Sequence, residues 1–341
     1  GAPLVTAVAN PDGTFAFDVS VEKNTTTTFS ASAVDAVGNV STCSNDVPYI
    51  HDDTPPIPPV LTGSEPMSPG QSQVPTILGD SEPGSEVVLY SDPSCSVPLG
   101  TTALANDTGQ FELNLTTPLP ANTTSPLYAL AIDFAGNSSL CSAPLVYTHD
   151  GIDPAAPVLT GTDPASPSNS VTTPAVLGTA EANATVQFFI DSECTGQAIS
   201  ETTVEANGSF SGQVSLQANA ESAVYAQVID AAGNISVCST PIAYVHDDAP
   251  PSSIVLTGTT PVSPSPEPNP TVNGDASPGV TIRLYLSGDC SGAVVAEATT
   301  NANGTFAQAV GVALNSSNII SANATDEAGN VSFCAAPVTY L

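Results

Sequence analysis

The apolar residues of this chain come in short runs, and nowhere do they hold a helical period for ten residues or more. Val87-Val88-Leu89-Tyr90, Val186-Gln187-Phe188-Phe189-Ile190 and Ile282-Arg283-Leu284-Tyr285-Leu286 are rich in β-branched and aromatic side chains and are bounded by Gly, Pro, Asn and Ser. Such runs predict short strands separated by turns. The 32 prolines would interrupt most helices of useful length. Asn-Gly and Asp-Gly pairs supply the positive φ angles that tight hairpins need. An all-β antiparallel architecture follows.

The strand pattern repeats. Val34-Asp35-Ala36-Val37-Gly38-Asn39, Ile132-Asp133-Phe134-Ala135-Gly136-Asn137, Ile229-Asp230-Ala231-Ala232-Gly233-Asn234 and Thr325-Asp326-Glu327-Ala328-Gly329-Asn330 are four copies of one D-x-x-G-N element. Each is followed by a cysteine, Cys43, Cys141, Cys238 and Cys334, at separations of 98, 97 and 96 residues. That spacing is the length of one Ig-type sandwich. V-L-T-G recurs at Val60, Val158 and Val255, and a turn followed by phenylalanine recurs at Phe15, Phe111, Phe210 and Phe306. The phenylalanine is expected to anchor a core. The phase of the landmarks divides the chain into the C-terminal half of a repeat at 1–53 and three whole repeats at 54–152, 153–249 and 250–341. The junctions are Pro-containing segments such as His51-Asp52-Asp53-Thr54-Pro55-Pro56, which predict short stiff connections and a rod.

Each whole repeat carries two cysteines, Cys95 with Cys141, Cys194 with Cys238 and Cys290 with Cys334. Even pairing at constant phase reads as one disulfide per repeat in an oxidising compartment, each stabilising its domain by about 3 to 4 kcal/mol. Two isolated thiols lack the neighbours to complete a zinc shell. Cys43 has no partner in its own half repeat, so its partner is expected outside this chain, from neighbouring repeats of the same long protein or from an identical subunit in a fibre. Half a sandwich cannot bury its inner face by itself.

Together the order P-V-L-T-G, G-D-x-x-P-G, L-Y, C, N-G-T-F, D-x-A-G-N, C and Y-x-H-D-D-x-P-P resembles the bacterial Ig-like repeats of very large surface adhesins and extracellular fibres. The resemblance covers essentially the whole chain. It implies tandem seven-stranded sandwiches, export to the cell surface, and use as stalk, extender or fibre-body modules; the rival use is a carbohydrate- or protein-binding adhesin module. The rival would need an aromatic platform in one repeat, yet aromatics are only 5% of the chain and most recur in every copy.

Charge narrows the partners. Thirty-three acids stand against Lys23 and Arg283, a formal net charge of −31. A surface this acidic repels nucleic acid and anionic lipid and attracts cations. No apolar stretch is long enough to span a bilayer. Catalysis would need an acid, base or nucleophile cluster that breaks the repeat symmetry, and none is present, so the chain reads as a non-enzyme with no required cofactor. The three histidines, His51, His149 and His246, recur once per linker and read as structural.

Calcium is the candidate ion. In an Ig order of strands, the B–C and F–G turns point to the pole where the preceding linker enters. Asp52, Asp53, Asp80, Glu82 and Asp133 are expected to converge there, followed in the later repeats by Asp150, Asp153, Glu181 and Asp230, and by Asp247, Asp248, Asp275 and Asp326. Oxygen ligands from three segments suit Ca²⁺. The competing reading is that each aspartate opens its D-x-x-G turn by accepting hydrogen bonds from its own backbone.

Overall fold

The computed structural model describes residues 3–341. Among the described residues every regular element is a β-strand, and no helix is long and apolar enough to cross a membrane. The chain divides into two compact units, Gly1–Ile152 and Asp153–Leu341.

The first unit opens with a two-stranded hairpin, β1 (Thr26–Phe29) against β2 (Val47–Ile50). A full sandwich follows. Its smaller sheet runs in the order β3 (Val60–Glu65), β4 (Thr76–Asp80) and β7 (Gln110–Asn114). Its larger sheet runs β6 (Pro98–Leu104), β5 (Glu86–Tyr90), β8 (Thr124–Ile132) and β9 (Leu145–Thr148). All pairings are antiparallel. Alternate residues face inward, as a strand's period of two dictates. Ile77, Phe111 and Leu113 from one sheet therefore meet Val87, Leu89, Leu127, Ala129 and Tyr147 from the other in one core.

The second unit holds two more copies of this plan. In the first, β10 (Val158–Asp163), β11 (Ala175–Thr179) and β14 (Ser209–Gln213) face β13 (Ser200–Thr203), β12 (Thr185–Phe189), β15 (Ala220–Ile229) and β16 (Ile242–His246). In the next, β17 (Val255–Thr260), β18 (Thr271–Asp275) and β21 (Thr305–Ala309) face β20 (Val294–Thr299), β19 (Thr281–Tyr285), β22 (Asn318–Thr325) and β23 (Val338–Tyr340). Three strands against four is the seven-stranded sandwich that the resemblance implies.

Several recurring residues acquire physical reasons here. The glycine of V-L-T-G sits where the first strand slips register, between Leu61 and Gly63, Leu159 and Gly161, and Leu256 and Gly258. A bulge on an edge strand bends it and spoils it as a template for further pairing. In the three whole repeats the turn phenylalanines are buried, Phe111 and Phe210 at 4% exposure and Phe306 at 6%, whereas Phe15 of the half repeat is 56% exposed. Each ring lies over a glycine of the neighbouring strand. A Cβ on Gly79, Gly178 or Gly274 would stand 2.4, 2.4 or 2.6 Å from the ring. The buried tyrosines end each sandwich, Tyr147 Oη donating to the Ser72 carbonyl at 2.8 Å and Tyr244 Oη to that of Val171 at 2.8 Å. Burial pushes the Tyr147 phenol above its ordinary value.

The expected disulfides form, Cys95–Cys141, Cys194–Cys238 and Cys290–Cys334, with Cα–Cα distances of 5.8, 5.7 and 5.7 Å. Cys43 is a free, exposed thiol. Between the F–G turn and the last strand, serines take over from strand pairing. Ser139 Oγ and Ser142 Oγ accept the Ala131 and Ala129 backbone N–H groups at 3.0 and 2.9 Å, and Ser236 and Ser239 do the same for Val228 and Ala226.

Candidate functional site

In every repeat the D-x-x-G-N element closes in the same way. Asp133 N–H donates to the Asn137 carbonyl at 3.0 Å, Gly136 N–H returns to the Asp133 carbonyl at 3.1 Å, and Gly136 takes φ of 93° to permit it. The Asp133 carboxylate then faces inward on its own turn. Its Oδ1 accepts Asn137 N–H at 2.9 Å and its Oδ2 accepts Asn137 Nδ2 at 2.8 Å. The side-chain bond from Asn137 holds this carboxyl below its ordinary range, opposed by partial desolvation and helped by the turn's backbone donors. Asp230 accepts Asn234 N–H at 2.9 Å and Asn234 Nδ2 at 2.8 Å, and Asp326 accepts Asn330 N–H at 2.8 Å and Asn330 Nδ2 at 3.0 Å. In the half repeat Asp35 accepts the Asn39 amide groups at 2.8 and 2.7 Å.

The same asparagine reaches the preceding linker. In the first unit Asn137 Nδ2 donates to the Asp52 carbonyl at 3.2 Å, and in the second Asn330 Nδ2 donates to the Asp247 carbonyl at 2.8 Å. The other side of the linker is held by the repeat before it. Asn24 N–H donates to His51 Nδ1 at 3.2 Å, and Asn24 Oδ1 accepts Asp53 N–H at 2.7 Å. In the second unit Asn219 N–H donates to His246 Nδ1 at 3.1 Å, and Asn219 Oδ1 accepts Asp248 N–H at 2.8 Å. Within each unit a His-Asp-Asp linker is therefore held from both sides by asparagine. The second repeat ends on the same lock, Asn122 N–H to His149 Nδ1 at 2.9 Å and Gly151 N–H to Asn122 Oδ1 at 2.8 Å. Asn24, Asn122 and Asn219 have φ of 56°, 52° and 53°, the left-handed region that asparagine tolerates better than most residues.

The linker, B–C and F–G acids were expected to converge at one pole. The linker and the F–G turn do meet within each unit, but through an amide and a carbonyl. Among the described residues no group of three or more His, Cys, Asp or Glu is placed to hold a metal ion. Several of the carboxylates serve backbone donors. Asp52, Asp150 and Asp247 accept the N–H two residues on, from Thr54, Ile152 and Ala249. Asp53 pairs with Lys23 at 2.7 Å on the surface. Of the B–C acids, Asp80 and Asp275 end strands β4 and β18, while Glu82 and Glu181 lie in turns whose carbonyls accept Ser85 and Ala184 N–H. Ser81 N–H donates to the Gly109 carbonyl at 2.8 Å, and the register of Glu86 opposite Ile132 sets the end of this turn next to the start of the Asp133 turn. Asp153 is exposed ahead of Pro154, and Asp248 contributes its N–H, as described above.

The asparagines are what sequence reading missed. Asn24, Asn122, Asn137, Asn234 and Asn330 stand in Asn-x-Ser/Thr triplets and register first as a compositional habit. The available signal was their phase, since each lock asparagine stands 27 residues before its histidine.

Comparison with known proteins fits this plan. Residues 264–340 match the family model of the bacterial Ig domain. The matched stretch lies within the last repeat. Its landmarks and its strand order recur in the two preceding repeats. No curated protein matches the sequence. Among solved structures, the FN1–FN3 domains of chicken CNTN1 are similar at 11% identity over 84% of this chain and 97% of that one, with a TM-score of 0.33. The BSP domain of a biofilm associated protein is similar at 10% identity over 84% and 67%, TM-score 0.22, and the D00–D0 domain of intimin at 16% identity over 52% and 94%, TM-score 0.20.

Proposed function

We propose that the chain is a structural segment of a long exported surface protein, a stalk, extender or fibre body built of non-catalytic bacterial Ig-like repeats divided at residues 53, 152 and 249. The observation that carries this reading is the doubly held linker. A spacer must transmit position from one domain to the next, and a joint in which His51 and Asp53 bond backward while Asp52 bonds forward does so without a large interface. The disulfides support an oxidising exterior, because each closes a loop of 44 to 46 residues that would otherwise extend under load. The net charge of −31 keeps such an array soluble and self-repelling.

In this reading the joint acids act as turn formers, and hydrogen bonds set the joint in the place of Ca²⁺. Single-molecule pulling tests the mechanical role. The oxidised chain is expected to unfold in discrete events with short extensions, each lengthening once the disulfides are reduced, while exhaustive chelation leaves the events unchanged. Smooth extension at the force of an unfolded chain would remove the load-bearing role, and a loss of resistance on chelation alone would return the acids to ion binding.

A further inference from the structure

The outer face of the larger sheet is not the same in the three whole repeats. Alternate residues of β5 and β8 build the core, so Glu86, Val88 and Tyr90 face outward with Tyr128, Leu130 and Ile132. Antiparallel register sets these outward residues in rows across the strands. In the third repeat the middle row is Glu201, Gln187 and Gln227, where Gln187 Nε2 donates to Glu201 at 3.4 Å and Gln227 Nε2 to Gln187 Oε1 at 3.2 Å. In the last repeat it is Glu297, Arg283 and Asn323, and Arg283 Nε donates to Glu297 at 2.9 Å. In the second repeat the same row is Thr102, Val88 and Leu130, and the two aliphatic side chains can carry no such ladder. Leu140, 79% exposed, prolongs the row past Leu130, because Ser139 before it and Ser142 after it bond Ala131 and Ala129. Tyr90 opposite Tyr128 borders the row on one side. On the other, Glu86 stands between Ile132 and the exposed Leu104, where the later repeats have Thr185 and Thr281.

Charge and area define what fits this face. Glu86 is exposed, and the two cations are paired in other repeats, Lys23 with Asp53 and Arg283 with Glu297. An aliphatic row beside an unpaired acid is complementary to apolar side chains beside a base. We propose that this face docks a short segment of another protein, which lays aliphatic side chains on Val88, Leu130 and Leu140 and sets a lysine or arginine against Glu86. Strand and residue spacings give the patch a footprint of about 300 Å², whereas a standard interface between domains takes about 800 Å² from each partner. A second copy would bring the same face, with its own Glu86 and no cation on it, on a chain of net charge −31. Glu86 and Val88 lie about 7 Å apart along one strand, so an extended occupant carries its base two positions from its first aliphatic residue. The proposal goes beyond the stalk reading and does not rest on it.

The test titrates the ¹⁵N-labelled full chain with the end-blocked peptide Ser-Lys-Ser-Leu-Ser-Leu-Ser at about 150 mM salt, where exposed charges are screened beyond a few ångströms of contact. Val88→Gln with Leu130→Gln writes the third repeat's row into the second, and Glu86→Thr writes in the later repeats' threonine. The Val88, Tyr128, Leu130 and Leu140 amides are expected to shift and saturate, with Kd at least about tenfold weaker in the double variant and about threefold weaker in Glu86→Thr. A peptide with serine in place of both leucines should leave these amides unmoved, which reads the apolar contact without altering the protein. No saturating shift up to about 5 mM peptide would overturn the proposal. So would equal affinity for the double variant or the leucine-free peptide, which leaves charge attraction alone, or an affinity unchanged by Glu86→Thr. Shifts of the same amides that grow with chain concentration before peptide is added would also overturn it, because a second copy would then cover the face.

Discussion

Replacing Asn330 by alanine probes the joint at its most connected residue. Asn330 is 7% exposed, and its Nδ2 bonds both Asp326 Oδ2 at 3.0 Å and the Asp247 carbonyl at 2.8 Å. A bond to a charged acceptor is worth about 1.5 to 3 kcal/mol and one to a carbonyl about 1 kcal/mol. Asn330→Ala should therefore loosen the turn by about 3 kcal/mol, of which only about 1 kcal/mol belongs to the linker. Native-state hydrogen exchange followed by NMR separates the two shares. The Gly329 and Asn330-position amides, which bond Asp326, should lose about thirtyfold in protection, and the Asp248 and Ala249 amides roughly fivefold. Asn330→Asp should cost more than alanine, because it sets a second carboxylate against Asp326 and turns an acceptor toward the Asp247 carbonyl. If the turn amides exchange faster while Asp248 and Ala249 are unchanged in both variants, the bond across the joint carries no energy and the clamp is an incidental contact.

Removing the third repeat's disulfide with Cys194→Ser and Cys238→Ser frees a 44-residue loop, for which chain entropy gives a loss of about 4 kcal/mol, measurable as faster exchange at Val186 and Val228 with the second repeat unaffected. Gly178→Ala places a methyl 2.4 Å from the Phe210 ring and should destabilise the third repeat by about 1 to 3 kcal/mol, read from its urea midpoint. The Asp133 turn should respond to acid in one direction. Because the folded carboxyl lies below the unfolded value of 3.8, its contribution is complete above that pH and is lost as pH falls through the folded value. Asp133→Asn should abolish that part of the acid response, seen as a urea midpoint for the second repeat that falls less between pH 4 and pH 2 than in the wild type.

How much of this was legible beforehand depends on how local the cause is. The strands were readable because a β-branched run between Gly and Pro has few alternatives, and the disulfide partners were readable because three copies at one phase leave a single consistent pairing. The core role of Phe111, Phe210 and Phe306 followed from a hydrophobic residue recurring just after a turn. Gly79 and its counterparts were not readable in the same way. Glycine there is required by a ring on another strand more than thirty residues later, and only the register of Gly79 against Phe111 shows it.

The acids mark the boundary most clearly. Sequence alone established that aspartate recurs in each linker and each F–G turn, and that the surface is strongly negative. Where the Asp133 carboxylate points was decided by the tertiary structure, since a carboxylate takes the nearest donors, and the left-handed Gly136 brings Asn137 back onto Asp133. Proline in the linkers predicts stiffness, but the linker clamps join residues 27, 83 and 85 apart in the chain, from Asn219 to His246, Asp247 to Asn330 and Asp52 to Asn137. No local pattern specifies such a contact. Between Asp247 and Asn330 it exists because two sandwiches, each folded on its own core, present a bare carbonyl and an asparagine amide to one another at the end of a short tether.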